Sequence, residues 1–184
     1  MGLFVLFVKS GNEALALKEM DSIWSFDKTM RFIVPEYDAR FRKGGKVYSE
    51  TRKFMPGYVF IESDLSGMDF YILSNPLISW SKNILRLLRY GGSSLDDSFE
   101  MKQEEYQAFQ QLLGKNNRVA MSKGVIEGDK TIITEGPLVG RENLIKKIDR
   151  HKMEASLELA VFEGITRTKV GLEIVSKNTN RRSR

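Results

Sequence analysis

The chain has 184 residues, 41% of them hydrophobic and 29% charged, with one histidine, no cysteine and a formal net charge of +5. These values suit one folded domain or two small ones. They exclude disulfides and cysteine-based metal sites, leave little for a nucleophile–base pair, and agree with a reducing, cytoplasmic compartment. No apolar run approaches a bilayer span, and MGLFVLFVKSGNE lacks the basic start and small-residue cleavage site of a signal peptide.

LFVLFVK (residues 3–9) reads as a buried strand. Ser10 and Glu13 form a capping box that opens a helix through about residue 21, with Ala14, Leu17 and Met20 on its inner face. Residues 30–42 and 46–54 flank Gly44-Gly45 as a hairpin, Pro56-Gly57 marks a bend, and YVFIES is a strand. Residues 66–74 predict a short helix stopped by Asn75-Pro76. ILRLLRY (84–90) predicts another strand, Gly91–Ser94 a loop, and residues 99–113 an amphipathic helix with Met101, Tyr106, Phe109 and Leu112 or Leu113 inward.

This order predicts an α+β sandwich over residues 1–113, with helices on a mostly antiparallel sheet. Residues 114–122 are polar and predict a linker. Beyond it, DKTIIT, ENLIKKID, SLELAVF and KVGLEIVS are short strands at the spacing of a small β-barrel, over residues 123–177. Residues 178–184 predict a disordered basic tail.

Charge is uneven. Residues 1–122 carry 16 Lys and Arg against 15 Asp and Glu; residues 123–184 carry 13 against 9. Arg141, Lys146, Lys147, Arg150, His151 and Lys152 form one basic cluster. Phosphates need cationic donors in a row, although an ordinary charged hairpin has the same composition. Arg40, Arg42, Lys43 and Lys46 surround the glycine pair as a second cluster, which either touches a nucleic-acid backbone or keeps the turn soluble. Asp96-Asp97 and Glu104-Glu105 are sequence neighbours whose side chains diverge. No phosphate-binding glycine loop occurs. The expectation is a binding protein with no catalytic residues, metal or cofactor.

Several segments, taken together, resemble one family. The apolar strand followed by SGNE, the basic hairpin, KFMPGYVFIE and the barrel opening GDKTIITEGPLVG are similar to the NusG family of transcription elongation factors. Two departures stand out. Met55 replaces a usual Phe, and Leu3-Phe4 replace a usual Trp-Tyr pair. GDKTIITEGPLVGRENLIKKID resembles a KOW motif, and its basic second strand is more similar to specialised paralogues of the LoaP antiterminator type.

The resemblance implies an N-terminal domain that rests an apolar patch on the clamp region of RNA polymerase. By motif that patch is Phe7, Met55 and Tyr58, with Phe54 adjacent and Phe60 in the core. It implies that residues 66–76 reach across the channel and that the basic hairpin meets upstream or non-template DNA. It also implies that the KOW barrel takes a leader RNA hairpin through the first basic cluster, with Arg167 and Lys169 as weaker contacts. A monomer is expected. The competing readings are a housekeeping NusG-type factor whose KOW domain binds proteins, and a KOW-type ribosome-associated RNA-binding protein. Thr131, Ile132, Ile133, Val161 and Val170 favour strands, so the barrel is expected to be stable against refolding into helices.

Overall fold

A computed structural model describes residues 1–24, 30–91, 99–114, 116–162 and 164–178. Contacts divide the chain into two compact units that do not follow sequence order. The first comprises Met1–Pro35, Met55–Ala108 and Ala160–Gly164; the second comprises Glu36–Phe54, Phe109–Leu159 and the chain from Ile165 onward.

In the first unit, β1 (Gly2–Val8) pairs antiparallel with β5 (Tyr58–Ser63) and β6 (Ile84–Leu87), and β2 (Arg31–Ile33) pairs with the far side of β5. The strand order is β2-β5-β1-β6. Phe4, Leu6, Val8, Val59 and Ile61 form a core with residues of α1 (Glu13–Trp24) and α2 (Gly67–Trp80). Phe4 stacks on Phe70 with ring centres 4.0 Å apart. On the opposite face Leu3, Val5 and Phe60 are also buried. Tyr106 of α3 (Gln103–Leu112) crosses that face to bond Glu62 at 2.9 Å. Burial on both faces explains why LFVLFV is apolar throughout instead of alternating.

Each helix departs from its sequence pattern for a physical reason. Glu13 does not complete a capping box with Ser10. Its buried carboxylate accepts the backbone N–H groups of Gly11 (3.2 Å) and Gly57 (2.7 Å). The buried face of α1 is therefore Glu13, Ala16, Met20 and Trp24, while Ala14 is exposed. Burial of Trp24 between Phe32 and Phe70 carries the helix past residue 21. Likewise α2 does not stop at Pro76. Its buried positions continue through Ser74 to Leu77, and Ile72, the residue whose carbonyl would pair with an N–H at position 76, is exposed. Helix α3 starts at Gln103, and Met101 is buried ahead of it, its N–H on the Leu3 carbonyl.

In the second unit, β3 (Glu36–Lys43) and β4 (Lys46–Lys53) form the hairpin. Gly44 and Gly45 have φ of 58° and 76°, the left-handed pair that a two-residue turn of matching twist requires. Within the expected linker, β7 (Arg118–Val119) adds to β3 in parallel, and β8 (Ser122–Glu127) begins after two further residues. The barrel-like sheet continues through β9 (Lys130–Glu135), a 3-10 turn at Glu142–Leu144, β10 (Ile145–Asp149), β11 (Glu154–Val161) and β12 (Gly164–Asn178), in the order β10-β11-β12-β8-β9. The β12–β8 pair is parallel. Of the expected tail, residues 179–184 lie outside the described residues, as do 92–94 of the expected loop and Asp96-Asp97. Among the described residues no helix is long and apolar enough to cross a membrane, and no three acidic, histidine or cysteine side chains gather as a metal site.

Candidate nucleic-acid and protein interfaces

Met55-Pro56-Gly57-Tyr58 is a tight turn. Tyr58 N–H donates to the Met55 carbonyl at 3.2 Å, and Gly57 has φ of 87°. Proline followed by a left-handed glycine is the pattern of a type II turn. The turn leaves Pro56 outside and encloses the two residues before it: Phe54 is 0% exposed and Met55 1%. Neither of these two expected contact residues is on the surface. The other two are. Phe7 and Tyr58 are register partners, both half-buried, with ring centres 5.4 Å apart edge to face. On the next strand Arg86 is opposite Phe7, and its guanidinium lies 5.5 Å from the ring centre. The row Arg86–Phe7–Tyr58 thus crosses three strands at the end of the face that buries Leu3, Val5 and Phe60. An aromatic pair edged by a cation suits a protein surface with apolar and acidic groups.

The hairpin tip presents Arg42, Lys43 and Lys46, all exposed, next to the stacked pair Phe41 and Tyr48. Arg40 is not part of that tip. It lies farther down the strand and pairs with Glu173 of β12 at 3.1 Å. The hairpin and β12 approach closely here: a Cβ on Gly171 would collide with the Asp38 carbonyl and the Met121 sulfur.

The same strands enclose a polar cluster that sequence reasoning missed. Glu154, 3% exposed, accepts the Tyr37 hydroxyl at 3.1 Å, pairs with Arg52, and lies 3.5 Å from Lys169. Tyr37 and Glu154 are 117 residues apart, so no local pattern announces them. Burial pushes the Tyr37 hydroxyl up to about 12; Arg52 pulls it down and the Glu154 charge raises it again. The folded chain therefore holds this proton more tightly than the unfolded chain, whose tyrosines lose it near 10. The resulting stability is complete below about pH 10 and falls away as pH rises toward 12. An ultraviolet titration is expected to show a tyrosine step near 12, and Tyr37→Phe to remove that step. A high step that survives Tyr37→Phe overturns the assignment.

The barrel's basic residues separate into two groups. Arg141 is occupied within the fold, bonding Gln111 at 2.6 Å and the carbonyls of Pro137 and Val139. Lys146 and Arg167 share Glu158, and Lys169 serves Glu154. By contrast Lys147, Arg150, His151 and Lys152 are exposed, the last three in the turn joining β10 to β11. Asp149 shapes that turn. It accepts the Lys152 N–H at 3.0 Å, which, ahead of the nearby positive charges, holds its carboxyl below the usual range.

Elsewhere in the first unit, Phe162 has φ of 49°, stacks on Tyr90 at 4.6 Å and donates its N–H to Glu105 at 3.1 Å.

Residues 2–110 match the family described as "Transcription termination factor nusG". The transcription termination/antitermination protein NusG of Buchnera aphidicola is 20% identical over 171 residues, covering 92% of this chain and 87% of its own. That of Rickettsia felis is 22% identical over 146 residues, 79% and 72% of the two chains. That of Escherichia coli K12 is 19% identical over 169 residues, 91% and 89%. A solved structure reported as "Domain interaction in Thermotoga maritima NusG" aligns with a TM-score of 0.52 and 18% identity, over 94% of this chain and 93% of that one.

Proposed function

The chain belongs to the NusG family of transcription termination factors, and from that premise we propose that it is a processive antiterminator of the LoaP type. It binds the clamp region of RNA polymerase through Phe7 and Tyr58, with Arg86 beside them. Phe54 and Met55 contribute as enclosed residues of the adjoining turn. The hairpin tip, Arg42, Lys43 and Lys46, meets upstream or non-template DNA. The turn Arg150–Lys152 with Lys147 takes a hairpin in the leader RNA. The protein acts as a monomer and by binding alone: affinity for the closed clamp over the open one shifts polymerase toward the elongating state.

The observation that supports this reading is the half-exposed Phe7–Tyr58 pair, on a sheet face otherwise enclosed at Leu3, Val5 and Phe60. Single-round transcription through a terminator tests it. With the full chain, read-through is expected to rise on a template that encodes the leader hairpin and to stay at background without it. Equal read-through on both templates overturns the RNA assignment.

The basic turn is tested separately. Replacing Lys147, Arg150 and Lys152 with alanine is expected to weaken RNA binding at every sequence and to flatten the salt slope by roughly 2 to 3, about one unit for each phosphate no longer neutralised. An unchanged slope places the RNA on another face.

A further inference from the structure

Three barrel strands bring one acidic and two basic side chains together on the outer face. Glu158 of β11 is 2.9 Å from the Nε of Arg167 on β12 and 3.7 Å from the Nζ of Lys146 on β10. The β10–β11 register shifts between Ile145 and Lys147. Lys147 is opposite Ser156, which shares a face with Glu158, so the bulge directs both consecutive lysines to one side. Arg167, Lys146 and Lys147 thus make a cationic row with a carboxylate set into it.

The two acidic residues of this face differ in one decisive way. Glu154 is enclosed and bonded to Tyr37 and Arg52, so it cannot release its partners cheaply. The Glu158 side chain is 24% exposed and its partners 53% and 83%. Exposed pairs of this kind contribute about 0.2–1 kcal/mol each and exchange readily with a competing anion.

We propose that Glu158 is an internal stand-in for an RNA phosphate, occupying Lys146 and Arg167 in the free chain and yielding them to the RNA backbone on binding. The inference rests on the RNA-binding reading and adds a specificity residue to it. A carboxylate within the cationic row penalises every polyanion equally. Only an RNA whose shape also reaches Lys147 and the Arg150–Lys152 turn recovers that cost.

The test uses full-length chains, a fluorescein-labelled RNA stem-loop and a heparin column. E158Q is expected to bind the stem-loop about three- to tenfold more tightly at low salt, the equivalent of two released surface pairs. Its salt slope is expected to steepen by about 1. Its preference for the stem-loop over unstructured RNA is expected to shrink. E135Q removes the same charge from the Lys123 pair and is expected to gain less. Adding K146A and R167A to E158Q is expected to erase the gain. A gain no larger than that of E135Q, or one that survives the two added substitutions, overturns the proposal. Heparin separates the two possible failures. If no variant binds the stem-loop, the RNA reading falls; later elution of E158Q than E135Q then still supports masking of the cation pair, and equal elution overturns it.

Discussion

Replacing both Phe7 and Tyr58 with alanine is expected to weaken RNA polymerase binding at least about 30-fold, because truncating a hot-spot aromatic costs about 2 kcal/mol or more. The two rings touch each other and are register partners, so the pair is expected to be non-additive: either single substitution takes most of the effect. Both are half-buried, so the cost to the fold is smaller than for a core ring, and the thermal midpoint is expected to fall by only a few degrees. Binding of the full chain to core polymerase on a sensor surface, beside a melting curve, measures both. Undiminished binding by the double variant removes this row from the interface. Met55 shows why the melting curve is needed. A charge at Met55 enters a position 1% exposed, so Met55→Asp loses binding by unfolding and reports nothing about a surface.

The second large effect concerns stability. Glu154→Ala is expected to cost about 2–4 kcal/mol, because the buried Tyr37 hydroxyl loses its acceptor and two half-exposed cations lose their partner. The substitution leaves the buried Tyr37 hydroxyl without its acceptor, and Arg52 and Lys169, both about half-exposed, without the charge that balanced them. Urea unfolding is expected to show a lower midpoint at an unchanged slope. Glu158→Ala, on the same strand face, is expected to cost about 1 kcal/mol, the two exposed pairs together. Equal effects from the two substitutions contradict the difference in burial on which both assignments depend.

Local chemistry was legible in the sequence. Gly44-Gly45 announced a hairpin because few residues tolerate two left-handed positions in succession. The unbroken LFVLFV announced a strand covered on both faces. Other features were hidden because their causes are distant or small. The strand β8 lacks an apolar alternation, since its inward positions are Ser122 and Gly124; a Cβ on Gly124 would meet the Ile132 carbonyl at 2.7 Å. Helix α2 passes its proline because Leu77, beyond it, packs into the core. The bend at Pro56-Gly57 was visible, but which way it turned Met55 was decided by a Gly57 N–H bound to Glu13, 44 residues away. In the candidate sites the sequence located the basic clusters, yet it did not distinguish Arg150–Lys152, exposed in a turn, from Arg141 and Lys169, occupied within the fold.

The parallel pairing of β8 with the far end of β12 has a mechanical consequence. Leu172–Asn178 lies alongside Ser122–Glu127, running in the same direction. Tension that draws the start of β8 and the end of β12 apart acts along both strands in opposite senses. It loads their rungs in shear, so that the ladder yields as a unit instead of opening one rung after another. The barrel is thereby built to resist traction between the start of β8 and the end of β12.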